Sequence, residues 1–478
     1  MLLCGTLCFS TMTKHGSLIS ALLLFLLLQC GSASKNSIIV SPESLRWKNE
    51  GINCSSSQAE ESKSTFSLVH INGHCSPFRA PDSTWSSSVL KSIEGDARRY
   101  RAILQRRVSL LASTTPTVST EDDANVPVTP MAPGQAANYI IKLGFGTPAR
   151  SLYTVIDTGS NLAWIPCTTC SNCPQSQQFD PSKSSTFKLL GCSSPQCQAL
   201  VSSPDCGDKS CALRTAYGDG SQLAFVLSTD TVTVGSQAVG DFVFGCALYL
   251  TGLLQLSPGL MGFGKDSLSF VSQTAKSYDR TFSYCLPSIR SSGSTGSLLL
   301  GKGALSAPGL KFTPFLTNAA NPSLYAVGLN GVSVGNDRVS VPADTIIDSG
   351  TVITRLVAPA YTAMRDSFRR QLSARNLNIV ANVSNLFDTC YKIPSGGVEL
   401  PSVTLHFDGG FDWVLPAENV LIPGSSKGSS VQCLAFAAPP GNLANRLSII
   451  GNFQQQNFRV VYDAPASRLG IALEKCGA

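Results

Sequence analysis

Tyr153-Thr154-Val155-Ile156-Asp157-Thr158-Gly159-Ser160 is a short β-rich apolar run that ends in a carboxylate, a hydroxyl, a glycine and a second hydroxyl. The same order of residue types returns at Thr345-Ile346-Ile347-Asp348-Ser349-Gly350-Thr351. One copy carries little information, because such a tetrapeptide after a strand commonly makes a turn. The pair carries more, since each copy has a second signal downstream. The glycine of Leu260-Met261-Gly262 follows Asp157 by 105 residues (262 − 157), and that of Ile449-Ile450-Gly451 follows Asp348 by 103 (451 − 348). Two apolar residues and a glycine, twice in register with two Asp motifs, read as a duplicated unit.

The chemistry of such a pair is specific. Two carboxylates brought together cannot both ionise cheaply, so they share a proton and titrate as a pair. One can then act as base on a water while the other donates to a carbonyl oxygen. Hydroxyls beside them, here Thr158, Ser160, Ser349 and Thr351, hold carboxylate oxygens without adding charge. Gly159 and Gly350 let the backbone turn tightly and approach the pair.

These paired motifs resemble those of the pepsin-like aspartic proteases. The resemblance covers roughly residues 138–476 and implies an all-β, bilobal fold with pseudo-twofold related lobes and a central cleft. Each lobe then gives one catalytic Asp, Asp157 or Asp348, from a loop beside which the apolar-apolar-Gly segment packs. Ser160 and Thr351 match hydroxyls that support the outer carboxylate oxygens, and Thr158 and Ser349 match those that bond across between the loops. Tyr217-Gly218-Asp219-Gly220-Ser221, alone an ordinary hairpin turn, resembles the flap that closes over substrate, with Tyr217, Gly218 and Asp219 as contacts. Phe225 departs from the family, which usually carries a glycine there, and so bears on flap packing. Asn161 stands where plant relatives commonly have Asp. The implied function is a secreted aspartic endopeptidase acting on polypeptides through water held between two Asp carboxylates.

Upstream, Lys14 and His15 precede the apolar run Leu18–Leu28, and Gly31-Ser32-Ala33 offers small residues for cleavage. That pattern reads as a signal peptide over residues 1–33, too short for a comfortable span. Residues 34–125 then read as a pro-segment. Arg98, Arg99, Arg101, Arg106 and Arg107 cluster in a helix expected from near Ser86. This cluster fits a solvated helical face, a cationic cover over an acidic cleft, or nucleic acid; a protease favours the cover. Leu68 to Phe78 resembles the pro-region of a plant subgroup whose founding member was described as a chloroplast nucleoid DNA-binding protease. A Thr/Pro/acidic stretch from Ser113 to Pro130 reads as an exposed, cleavable linker. The remaining chain is long enough for two lobes, taken as residues 138–316 with a Cys-rich insert and flap, and 317–478. Helical patterning there is sparse, with one clear case from Pro359 to Leu372.

Of 17 cysteines, five (Cys4, Cys8, Cys30, Cys54 and Cys75) precede the expected mature chain, leaving twelve, an even number. Cys167-x-x-Cys170-x-x-Cys173 has spacing that could hold zinc, but a signal peptide points to an oxidising compartment and disulfides. This Cys-rich insert is similar to that of nepenthesin-like plant aspartic proteases. That likeness implies the pairs Cys167–Cys170, Cys173–Cys246, Cys192–Cys211, Cys197–Cys206, Cys285–Cys476 and Cys390–Cys433.

Other chemistries find little support. Only four histidines exist, and His406 alone lies in the expected mature chain, as a satisfied sheet residue. Neither an H-E-x-x-H metal motif nor a phosphate-binding loop occurs, so no metal or cofactor is expected. Asn382-Val383-Ser384 is a glycosylation acceptor, as is Asn53-Cys54-Ser55 upstream. Lys and Arg exceed Asp and Glu by 36 to 30 over the chain, a mild balance and a poor footprint for nucleic acid. The expectation is a monomer of the apoplast, rather than of the vacuole or chloroplast, with no membrane partner. A hydrolase-inhibitor-like or DNA-binding protein on the same fold is the alternative.

Overall fold

The computed structural model describes residues 37–45, 64–78, 85–112, 139–170, 172–200, 210–216, 222–290, 294–317, 319, 321–381, 383, 387–424, 430–443 and 445–476. Strands dominate, as the short β-branched runs between glycine and serine turns require. The elements that position the site are β1 (Ser37–Val40), β2 (Thr65–His70), α1 (Trp85–Ala112), β3 (Tyr139–Phe145), β4 (Arg150–Asp157), β5 (Trp164–Pro166), β6 (Gln222–Val234), β7 (Gln237–Leu250) and β8 (Leu260–Gly262). After these come β9 (Thr281–Cys285), β10 (Gly296–Leu300), β11 (Ala326–Val327), β12 (Thr345–Ile347), β13 (Thr354–Arg355), α2 (Ala358–Ser373), β14 (Val398–Pro401), β15 (Val403–Phe407), β16 (Ser448–Ile450), β17 (Phe458–Asp463) and β18 (Arg468–Leu473).

Among the described residues the largest sheet has 14 strands and contains the run β18-β17-β9-β10-β2-β3-β4-β8-β5-β7-β6. It joins the two halves of the molecule. β2 sits inside it, with Phe66 opposite Leu298 on β10 and Val69 opposite Ile140 on β3. The alternation in Thr65–His70 puts Phe66, Leu68 and His70 inward, all buried. This two-lobed, mainly β architecture is the expected pepsin-like fold.

The duplication seen in the two Asp motifs is a duplication of strand pairing. β8 runs parallel to β4, placing Met261 opposite Ile156 and Gly262 opposite Asp157. β16 runs parallel to β12, placing Ile449 opposite Ile346 and Ile450 opposite Ile347. The second pairing repeats too: Leu260 faces Trp164 on β5 antiparallel, and Ile449 faces Arg355 on β13 antiparallel. Both downstream glycines are needed by close approach. A Cβ on Gly262 would lie 2.4 Å from the Asn161 carbonyl carbon, and one on Gly451 would lie 2.4 Å from the Val352 oxygen.

The disulfides correct the pairing implied by family likeness. Cys167 joins Cys246 and Cys170 joins Cys173, in place of Cys167–Cys170 and Cys173–Cys246. Ile165 and Cys246 are opposed on the parallel β5–β7 ladder, which carries Cys167 beside Cys246. Cys197 joins Cys211, which displaces both Cys192–Cys211 and Cys197–Cys206. Cys192 is also disulfide-bonded, and Cys206 lies outside the described residues. Cys285–Cys476 and Cys390–Cys433 are as implied.

Phe225 finds its place in the core formed by the Cys-rich insert, with Trp164, Cys170, Cys197, Leu223 and Leu227. Its ring covers Gly245 on β7, where a Cβ would come within 2.7 Å. The two residues compensate for one another in size. His406, on β15, is satisfied as expected, with Nδ1 2.6 Å from Asp412 Oδ1 and Nε2 2.7 Å from Ser333 Oγ.

Candidate active site

Asp157 ends β4 and Asp348 follows β12, and the two loops are tied to each other by reciprocal bonds. The Thr158 N–H donates to Ser349 Oγ at 3.1 Å, and the Ser349 N–H donates to Thr158 Oγ1 at 2.9 Å. Each hydroxyl then donates onward to the strand of the opposite loop: Thr158 Oγ1 to Ile347 O and Ser349 Oγ to Ile156 O, both at 3.2 Å. A hydroxyl is required at each place because it must accept one bond and donate another.

The glycines hold the carboxylates from below. Gly159 N–H donates to Asp157 Oδ1 at 3.0 Å, and Gly350 N–H donates to Asp348 Oδ1 at 2.9 Å. A Cβ on Gly159 would lie 2.6 Å from Asp348 Oδ1, and one on Gly350 would lie 2.5 Å from Asp157 Oδ1. The carboxylates can therefore approach the opposing loop only over glycine. Thr351 Oγ1 donates to Asp348 Oδ2 at 2.6 Å. Its counterpart Ser160 lies near enough to Asp157 to favour the charged form, but its buried hydroxyl makes no well-formed hydrogen bond.

Between the carboxylates lies a residue from the far N-terminal segment. Arg99, on α1, directs Nε to Asp348 Oδ2 at 2.7 Å and Nη2 to Asp348 Oδ1 at 2.7 Å. The same Nη2 reaches Asp157 Oδ1 at 2.5 Å, and Nη1 reaches Asp157 Oδ2 at 3.3 Å. All four oxygens accept from one guanidinium. Its planar fork can engage two carboxylates at once, which a lysine ammonium cannot match. Both acids and Arg99 are buried.

Burial alone would raise both acids, since it disfavours the charged form. For Asp348 the charge and hydrogen bonds of Arg99, with those of Thr351 and Gly350, outweigh burial and hold it below the usual carboxylate range. Asp157 stays raised by burial and by the Asp348 charge, despite Arg99. Arg99 is held still more firmly protonated than a free arginine, because the two acids outweigh its own desolvation.

The helix that presents Arg99 is itself docked. Val89 and Ile93 pack with Val352, Ile353, Ile422 and Phe453, while Tyr100 and Ile103 pack with Leu324, Ile346, Leu447 and Ile449. Positions 89, 93, 96, 100 and 103 recur at helical spacing, so they share one face. On that face Asp96 accepts from the N–H groups of Val352 at 2.9 Å and Ile353 at 3.0 Å, just past the second Asp motif. Burial pushes its pKa up to about 6, against the pull of Arg355 and the two N–H bonds. Tyr100 donates its hydroxyl to Leu447 O at 2.8 Å.

Sequence reading anticipated an arginine cluster over an acidic cleft but could not single out Arg99, and it missed Asp96. A signal was present: Asp96 and Arg99 interrupt an apolar stripe of Val89, Ile93, Tyr100 and Ile103. A buried charge on an apolar helix face requires a partner. Of the other expected site residues, Tyr217, Gly218 and Asp219 lie outside the described residues, as does Asn382. Asn161, the departure from an Asp, accepts from Asp266 N–H through Oδ1 at 3.0 Å and braces the first loop.

Residues 139–302 match the family described as Xylanase inhibitor N-terminal, and residues 324–472 match Xylanase inhibitor C-terminal. Aspartyl protease 25 of Oryza sativa subsp. japonica is 39% identical over 383 residues, covering 74% of this chain and 86% of that protein. Aspartic proteinase nepenthesin-1 of Nepenthes gracilis is 38% identical over 359 residues, covering 71% of this chain and 78% of that protein. In fold, basic 7S globulin from soybean superposes with a TM-score of 0.55 at 24% identity, over 70% of this chain and 91% of that one. With both Asp loops complete and protease relatives alike along most of their length, the chain belongs to the pepsin-like aspartic protease family, in its nepenthesin-like plant branch.

Proposed function

We propose that the chain is the latent form of a catalytically active aspartic endopeptidase, and that Asp157 and Asp348 are its catalytic pair. The observation that carries this reading is the single guanidinium touching all four carboxylate oxygens. While Arg99 is there, the oxygens that would bind and deprotonate water are occupied by a cation. When α1 leaves, the two acids lose their counter-charge and share a proton. The ionised acid then takes a proton from water, which attacks the peptide carbonyl, and the protonated acid donates to the carbonyl oxygen. Gly159 and Gly350 N–H groups and the Thr351 hydroxyl keep the carboxylates facing one another through this exchange. No covalent enzyme adduct forms.

Residues 34–125 are, in this reading, the pro-segment, cut from the mature lobes (138–316 and 317–478) within the stretch that precedes β3. The protein enters the secretory route through residues 1–33 and acts in the apoplast, with Asn382 a candidate glycan site. Its disulfides and its nepenthesin relatives support that assignment. Polypeptides, bound under the Tyr217 flap, are the substrates.

The test is cleavage of a denatured protein by the processed chain across about pH 3–7, beside Asp157→Asn and Asp348→Asn. Loss of activity by roughly three orders of magnitude in each variant is expected. A processed wild-type chain that is folded but cuts nothing would instead favour the inhibitor-like reading suggested by the matched family descriptions.

A further inference from the structure

Besides α1 at the two acids and β2 in the large sheet, the N-terminal segment is anchored at a further place. β1 pairs antiparallel with β14, with Ser37 opposite Pro401, Ile38 opposite Leu400, Ile39 opposite Glu399 and Val40 opposite Val398. Among the described residues this is a two-stranded sheet of its own, so β14 has no other strand partner. Val40 is 2% exposed, whereas the next residue back, Ile39, is 85% exposed. The alternation therefore decides which side chains are recognised. After Val40 the chain turns through Ser41–Leu45, where Leu45 N–H donates to Pro42 O, and buries Leu45 in the main core.

The receiving groove is built for a main chain. Gly397, at φ +81°, would bring a Cβ within 2.8 Å of the Val40 oxygen, so only glycine admits the strand there. Arg290 is buried beneath, donating from Nη1 to Leu45 O and from Nη2 to Leu421 O. Ser37 Oγ donates to Glu399 at the open end. An extended backbone, two apolar side chains and a terminal carbonyl are thus each met by a separate feature. A strand added to a free sheet edge is a general mode of peptide recognition.

We propose that the β14 edge and Arg290 form an exosite for an extended peptide, whose occupant is residues 37–45 of this chain, and that it retains the N-terminal segment after cleavage. The inference rests on the latency reading above. β1 and α1 lie on one fragment once the chain is cut between residues 112 and 139. Holding one end at the exosite keeps the helix at high effective concentration over the cleft, so the cut alone does not free the dyad. Full release requires these two anchors and β2 in the large sheet to open together.

The experiment uses the full chain with a cleavage site for an added protease placed between residues 112 and 139, so retention is read without any activity of its own. After cutting at neutral pH, the N-terminal fragment should co-elute with the rest of the protein. With Val40→Asp it should dissociate at least tenfold faster. As a second arm, a fluorescent peptide of residues 37–45 is titrated onto cut protein stripped of its fragment, beside the same peptide carrying Val40→Asp. Saturable binding of the first and loss of the second are expected, with the bound fraction unaffected by an active-site-directed statine peptide. Equal dissociation of the two fragments, or equal binding of the two peptides, would overturn the exosite. Retention at β14 in a protein that cuts nothing would leave the exosite standing and sink only the catalytic reading.

Discussion

At the scale of the residue, Arg99 and Asp96 hold the same helix down by opposite electrostatics. Removing one partner of a buried ion pair leaves charge uncompensated and typically costs ~3–5 kcal/mol. Arg99→Ala should therefore loosen α1 and let the uncut chain bind a labelled active-site inhibitor at neutral pH, which the wild type should resist. The pH dependence separates the two residues. Arg99 docks against ionised acids; once it leaves, burial and mutual repulsion raise the proton affinity of the pair. The docked pair thus binds fewer protons than the free pair, and docking weakens as pH falls. Asp348, held below the usual range by Arg99, loses its share of docking progressively as pH falls from the free acid's range to that lowered value. Asp96 has the reverse sign. Its pKa is about 6 when docked, above that of a solvated Asp, so acid lowers the cost of burying it and favours docking. Acid release must run through the dyad. Asp96→Ala should weaken docking by ~1–3 kcal/mol, from two unsatisfied N–H groups, yet keep its release in acid; Arg99→Ala should lose that pH dependence. Inhibitor-binding rates measured against pH decide between these outcomes.

At the scale of the element, the paired β4–β8 and β12–β16 ladders explain why two short motifs needed partners about a hundred residues away. Each Asp loop is braced by a parallel strand with a glycine at its end or directly after it, and a parallel partner cannot come from the adjacent hairpin. The two motifs and their spacing were legible because these constraints fall on single residues. The β6–β7 hairpin shows the other case. Phe225 read as a departure beside the flap, but its fit depends on Gly245, twenty residues on and across the ladder. Gly245→Ala should be destabilising by ~1–3 kcal/mol through overpacking. Adding Phe225→Leu should recover part of that loss, a coupling that a double-mutant cycle in denaturant would show. The disulfides belong here too. The cysteine count was enough to expect bridges, but connectivity within the insert follows from which cysteines the β5–β7 ladder sets side by side.

At the scale of the whole molecule, the N-terminal segment is part of the fold as well as a cover over the two acids. β2 is an interior strand of the sheet that joins the halves, and Phe66 and Leu68 are buried in the main core. Each such side chain contributes roughly 1.5–3 kcal/mol of burial. Stripping residues 37–112 from cut protein at neutral pH should therefore lower its thermal midpoint, as calorimetry would record; an unchanged midpoint would mean that β2 is replaced without loss. The sequence by itself determined the duplicated lobes, the two acids, the hydroxyls and glycines beside them, and the family, because each is a local demand written at one position. It marked the arginine cluster as a cationic cover without choosing its member. Only the tertiary structure decided that Arg99 lies between the acids, that Asp96 is its anchor, and that β1 binds β14. Those contacts join residues 249, 256 and 360 positions apart, as for Arg99–Asp348, Asp96–Val352 and Ile39–Glu399. No periodicity links such distant positions; the burial of one helix face and one strand edge brings them together.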